Sequence, residues 1–348
     1  MLFNLNDDTT ENPMDQAVIS GGASTQTSTP YIFSEWQPWY QGIDRAVGTA
    51  DLAFDAVPSV LSTPVARKQN VNALRIDLTN SGISFYTTPA APKDRPCQTV
   101  GATVTGFLSA ETAVTVAINA NFSWYDQDVV GGNFSLMGLA ISQGNVVCDP
   151  TVPAPPPGHT TDADVPNQSY AGAMAMLISQ TNEVTFQLVT QENLKNVSDY
   201  YTAIAGSPQP AEGGWPPQEQ VPGPIFLVEN GVNQGTPQPG PTEKIAGRTA
   251  VGLSADGQYL YLVTLDGCEI AAWPYGGGFY DIAQWLIIAG AYTGLNLDGG
   301  GSTSMACRDS NNSPVLMNVP FGNEPAQATP GVPRAVGNFF GVVTRPLS

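Results

Sequence analysis

Asp298 closes an apolar run and stands directly before three glycines and a row of small hydroxyl residues, in the stretch LNLDGGGSTSMAC from Leu295 to Cys307. A carboxylate at a strand end can stabilise a cationic centre or activate water, because a rigid scaffold holds it at an exposed rim. Gly299 and Gly300 lack a Cβ, so their backbone N–H groups can approach a ligand closely. Ser302 and Thr303 add hydroxyl donors. Asp266, in VTLDG, is the candidate second carboxylate, either an acid/base or a metal ligand; its alternative is the turn of its own hairpin. Arg248 and Arg334 carry guanidinium forks suited to the paired oxygens of a phosphate. Their alternative in so acidic a chain is pairing with Asp266 or Glu269. Asn119 and Asn121 end another strand, where they can bind sugar hydroxyls or make Asx turns.

Other glycine-rich chemistries fit less well. A phosphate-cradling loop needs a lysine beside its Ser/Thr, and DGGGSTSM has none. A dinucleotide fingerprint opens a helix, whereas here the helical pattern precedes the glycines. An aspartic-protease-like hydrolase remains a minor alternative, with Asp266 as a poor second copy of the motif. Four cysteines without a CxxC pair and a single histidine, His159, argue against zinc. Clustered carboxylates would favour Ca²⁺ or Mg²⁺ if any ion is used.

The elements that position these residues are mostly strands. RTAVGLSADGQYLYLVTLDG reads as a hairpin, two β runs around a turn in which Gly257 takes positive φ. FYDIAQWLIIAGAY predicts a helix, with Ile282, Trp285, Leu286 and Ala289 on one face and Gly290 near its end. AVTVAIN and NEVTFQLVT read as strands, and VNALRIDL and ISFYTTP as a hairpin across TNSG. Half of the thirty prolines lie between 150 and 241, which predicts long loops there. Residues 1–40 are polar and Ser/Thr/Gly-rich, an extended N-terminal arm; 41–348 form one β-rich α+β domain with an extensive mixed sheet and Pro-rich insertions within 150–241.

GLNLDGGGSTSM resembles the signature of the phosphodiester glycosidase family. VTVAINANFSWYD, GPIFLVENG, GRTAVGLSADGQYLYLVTLDG, VLMNVP and GVPRAVGNFFGVV resemble further family segments in the same order, across roughly Val71 to Thr344. One departure is NANFSW, where the family carries a glycine and a double phenylalanine. The resemblance implies a hydrolase that cuts the glycosidic C–O bond of a sugar 1-phosphodiester, with Asp298 central and the arginines on phosphate. Phosphate is a good leaving group, so such a reaction needs a carboxylate at the anomeric carbon more than a strong general acid. Trp124, Tyr125 and Trp215 are candidate sugar-stacking rings.

Composition bounds the partners. Thirty acidic residues against twelve basic ones give a formal charge of −18, which disfavours nucleic acid and anionic membranes. Charged residues are 12 %, about half the usual share. No apolar run approaches a membrane span, and the start shows no standard signal peptide. An extracellular or particle-associated protein is expected. The second functional reading follows from the arm: a structural or glycan-binding subunit of a virion or filament, assembled as a homo-oligomer through residues 1–40.

Overall fold

A computed structural model describes residues 30–53, 66–91, 97–125, 129–149, 170–190, 193, 199–210, 225–235, 245–268, 275–322 and 329–347. Four antiparallel sheets organise them. The largest has nine strands; its centre runs Ile43–Ala53, Ala66–Asp77, Tyr259–Leu265, Arg248–Leu253, Thr293–Asn296. A five-stranded sheet centres on Val116–Asn119, between Met305–Arg308 and Phe339–Val343. A second five-stranded sheet carries Tyr170–Ile178 between Val184–Val189 and Thr202–Pro210. The parallel component of the expected mixed sheet is limited to isolated bridges, Lys68 to Tyr275 and Phe321 to Val332.

Period-two alternation gives the large sheet two apolar faces. Leu74, Ile76, Val251, Leu260, Leu262 and Leu295 point to one side and pack on Val116, Ile118, Met305 and Phe340, with Met176 and Ile204 from the third sheet. Val71, Ala73, Ala250, Tyr261, Val263 and Leu265 point to the other and receive the helix Phe279–Ala289. That helix presents Ile282, Trp285, Leu286 and Ala289 to the sheet, and Gly290 ends it at φ +114°. Trp285 reaches across to donate its Nε1–H to Gln69 Oε1 at 2.7 Å. A Cβ on Gly48 would stand 2.5 Å from the Trp285 ring, so the strand beneath carries glycine there.

The hairpin Arg248–Leu253/Tyr259–Leu265 is present in full register, with Gly257 at φ +72°. VNALRIDL and ISFYTTP do not form a hairpin. Ala66–Asp77 joins the large sheet and Ser84–Thr87 pairs with Phe339–Val343 in another, so TNSG turns the chain from sheet to sheet. Asp77 Oδ1 takes the Thr79 N–H and hydroxyl, and Asn80 Oδ1 takes the Gly82 N–H, which fixes that corner. A short helix, Val104–Ala110, was not expected; Thr103 Oγ1 caps it by accepting from Gly106 N. Arg308 donates to the carbonyls of Leu108 and Glu111 at its C-terminal end.

Strands Tyr31–Phe33 and Gln37–Tyr40 pair with Ile43–Ala53, so two short strands at the end of the expected arm belong to the sheet. The remainder of the arm, 1–29, lies outside the described residues, as does most of the Pro-rich sequence. Cys97 and Cys148 form a disulfide, while Cys268 and Cys307 are buried thiols. No helix among the described residues is long and apolar enough to cross a membrane.

Candidate functional site

Three neighbouring strands bring the site together at one end of the large sheet. Arg248 pairs with Leu265, and Ala250 pairs with Asn296. The start of one strand therefore meets the ends of the two beside it, which places Arg248, Asp266 and Asp298 at the same rim. Leu297 N donates to Thr249 O at 2.9 Å, which carries the ladder past Asn296. Continuing this register sets Asp298 beside Arg248. A Cβ on Gly299 would stand 3.8 Å from both Cα and Cδ of Arg248.

The glycine turn is shaped by what presses on it. A Cβ on Gly299 would meet Gly247 O at 2.9 Å, and Gly300 takes φ +58°, a region that L side chains disfavour. The N–H groups of both are spent inside the protein. Gly299 N donates to Asp298 Oδ1 at 2.9 Å, and Gly300 N to Gly247 O at 2.8 Å. Their contribution is thus close backbone packing rather than the open N–H cradle expected from sequence. A Cβ on Gly301 would lie 3.5 Å from Arg334 Nη1. Arg248 and Arg334 therefore stand against the two ends of the glycine run, at Gly299 and Gly301.

Asn119 fixes this turn to both sheets. Its Nδ2 donates to Asp298 O at 2.6 Å, and its Oδ1 accepts from Thr249 Oγ1 at 2.7 Å and Ser304 N at 3.0 Å. Asp298 N completes the anchorage on Ala120 O at 3.0 Å. The backbone of Asp298 is locked, while its half-buried side chain takes the Gly299 N–H on Oδ1. Asn121 is a second brace: Nδ2 donates to Met137 O and Leu139 O, and Oδ1 accepts from Ala205 N and Asn338 Nδ2. Both asparagines are buried with their amides engaged by the protein. The sugar contact expected of Asn119 and Asn121 gives way to a positioning role, because no amide group is left facing outward.

Arg248 is held by the start of the long helix. Its Nε donates to Gly277 O at 3.1 Å, and its Cζ lies 4.2 Å from the Phe279 ring centroid. Gly278 N is capped by Asp281 Oδ2 at 2.7 Å, which keeps that carbonyl and ring in place. Ser302 and Thr303 are buried in the turn, and Thr303 Oγ1 has no hydrogen-bond partner among the described residues.

Asp266 is 3 % exposed and sits under the Thr303 segment. Asn318 Nδ2 donates to Asp266 Oδ1 at 3.1 Å and to Thr303 O at 3.3 Å; Val319 N reaches the same Oδ1 at 3.0 Å. Burial pushes the Asp266 carboxyl up to about 7, against the lowering by the Val319 N–H and the Asn318 amide. No hydrogen bond joins Asp266 to Asp298, as a proton-sharing protease dyad would require. Among the described residues, no group of three or more His, Cys, Asp or Glu could hold a metal ion.

Phosphodiester glycosidases provide the match: their family model fits residues 114–343, which include both asparagines, both arginines, both aspartates and the whole glycine turn. The chain belongs to the phosphodiester glycosidase family. It is a phosphodiester glycosidase-like hydrolase. Its fold is similar to the catalytic domain of zebrafish N-acetylglucosamine-1-phosphodiester alpha-N-acetylglucosaminidase, described in its structure as auto-inhibited by a pro-peptide. That comparison has 16 % identity over 91 % of this chain and 89 % of that one, with a TM-score of 0.55. A Burkholderia pseudomallei protein matches at 12 % identity over 90 % and 96 % of the two chains, TM-score 0.50. No curated protein sequence matches.

Asn318, within the VLMNVP segment, was not among the candidate site residues, and neither were Gly277 and Phe279, for which the sequence carries no signal. Trp215 and His159 lie outside the described residues, as do the side chains of Trp124 and Tyr125.

Proposed function

We propose that this glycosidase hydrolyses the anomeric C–O bond of a sugar 1-phosphodiester at the rim between Arg248, Asp298 and Arg334. The supporting observation is the placement of Asp298 beside Arg248 on a glycine turn whose other end stands against Arg334. In this reading the phosphate lies between the two guanidinium groups, which neutralise the charge gathering on it as the bond breaks. The Asp298 carboxylate meets the oxocarbenium-like charge developing at the anomeric carbon. Water adds there and gives up a proton, which balances the one passed to the departing oxygen, leaving free sugar and a phosphate monoester. Asp266, whose carboxyl is pushed up to about 7 by burial, supplies a proton to the departing oxygen.

The substrate class follows from the same charges. A chain of −18 does not attract anions over its general surface, so an anionic substrate needs a local basic site, and Arg248 and Arg334 are the residues assigned to it in this reading. A panel of sugar 1-phosphodiesters incubated with wild type and Asp298→Asn, with and without chelator, tests the reading. Release of free sugar by wild type alone is the expected result. Full activity in a folded Asp298→Asn protein, or no turnover of any panel member by wild type, overturns it. Loss of turnover with chelator would bring a Ca²⁺ or Mg²⁺ ion into the site.

A further inference from the structure

We infer that Asn318 is a positioning residue that fixes which oxygen of Asp266 carries the proton and ties that carboxyl to the glycine turn. This inference rests on the proposed acid role of Asp266. Asn318 is 6 % exposed and follows the strand Pro314–Leu316. Each end of its amide is in use: Oδ1 accepts from Met305 N at 2.7 Å, while Nδ2 is shared between Asp266 Oδ1 and Thr303 O. The bond to Met305 locks the amide orientation, so Nδ2 must face the carboxyl. Pro320 stiffens the turn on the other side.

Two donors, Asn318 Nδ2 and Val319 N, converge on Asp266 Oδ1, and Oδ2 accepts no hydrogen bond among the described residues. A proton on Oδ1 would compete with two N–H groups for its lone pairs. It therefore resides on Oδ2, the oxygen left open for donation. A structural asparagine would need only the Met305 and Thr303 bonds; the contact with Asp266 makes it electrostatic as well. No titratable or charged side chain contributes to the raised Asp266 value. Arg248, on the adjacent strand, leaves the opposite face of the sheet toward Phe279. Asn70, on the strand at the other side, meets Asp266 through its backbone carbonyl. The polar environment that sets Asp266 is thus the Asn318–Val319 turn. Because Asn318 also holds Thr303 O, a displacement of the glycine turn changes the donor set of the acid.

The test uses the full chain as wild type, Asn318→Ala, Asn318→Ser and Asp266→Asn. Thermal unfolding identifies the folded variants; the serine variant retains a small polar group should alanine fail to fold. Asp266 is titrated directly by carboxyl ¹³C NMR, its signal assigned by loss in Asp266→Asn, and the pH–rate profile is recorded on whichever phosphodiester wild type cleaves. Loss of the Nδ2 donor is expected to raise the Asp266 titration midpoint by about one unit, roughly tenfold in proton affinity. The alkaline limb of the rate profile should move with it. An unchanged midpoint in a folded variant overturns the inference, whatever the activity does. A moved midpoint with an unmoved rate profile supports the control of Asp266 by Asn318 and overturns the acid role of Asp266, so the two failures are distinguishable.

Discussion

Phe279 lies under the guanidinium of Arg248, 4.2 Å from ring centroid to Cζ, while Gly277 O accepts from Arg248 Nε. The helix that buries Trp285 against the sheet thereby also aims the arginine that faces Asp298. Packing energy from the core is used to orient a charged group. Phe279→Leu keeps the volume and removes the ring face, worth about 0.5–2 kcal/mol in such a contact. A KM increase of roughly 3- to 30-fold with a smaller change in kcat is expected from steady-state kinetics. Arg248→Lys should cost more, since an ammonium cannot reproduce the fork.

Asp298→Asn is isosteric and keeps an oxygen to accept the Gly299 N–H. It should fold with an unchanged Tm and lose at least ~10²-fold in kcat, the range for removal of one group that stabilises transition-state charge. Circular dichroism and initial rates check the two parts separately.

Asp266 should leave a signature in stability as well as rate. Its folded-state value, about 7, stands above the ordinary carboxylate range. Between pH 4 and 7 the folded state binds the extra proton, so the contribution is complete below pH 4 and is lost as pH rises through 7. The slope approaches ~1.4 kcal/mol per pH unit within that window. Denaturant unfolding of wild type minus Asp266→Asn isolates the slope from the background of a −18 chain. Equal slopes in the two proteins would count against a raised value.

Asn119→Ala removes the acceptor of Thr249 Oγ1 and Ser304 N and the donor to Asp298 O, all in the interior. A stability loss of about 2–4 kcal/mol is expected from the orphaned groups. Activity should fall even at temperatures where the variant stays folded, because the backbone under Asp298 is no longer fixed.

Gly299→Ala would bring a Cβ within 2.9 Å of Gly247 O, a backbone atom that cannot rotate away. The turn must shift, and with it Asp298 and Arg248. A drop in kcat larger than the drop in Tm would predict would place the strain at the site.

What was legible in the sequence was local. The Arg248–Leu265 hairpin showed because Asp256–Gly257 closes it within a few residues, and the long helix because its apolar face repeats on schedule. The family signature made Asp298 stand out before any contact was known. The Val104–Ala110 helix was hidden by its seven-residue length and its central glycine. The roles of Asn119 and Asn318 were hidden for another reason: their partners stand far away in sequence. Thr249 is 130 positions from Asn119 and Ser304 is 185, and no spacing rule links an asparagine to a threonine in another sheet. The false hairpin at TNSG shows the same limit, since two good strands joined by a good turn went to different sheets.

The Ser254–Gln258 turn stands at the opposite end of the hairpin from Arg248 and Asp266. It is exposed at its tip, and Ser254 and Asp256 close it with their own side chains. Six paired residues, at ~3.4 Å each, separate it from the rim by about 20 Å. A tether placed there, whether a fluorophore or a link to a solid support, would leave the rim facing away from the point of attachment. The same strand pair that gathers the charges at one end offers a chemical handle at the other.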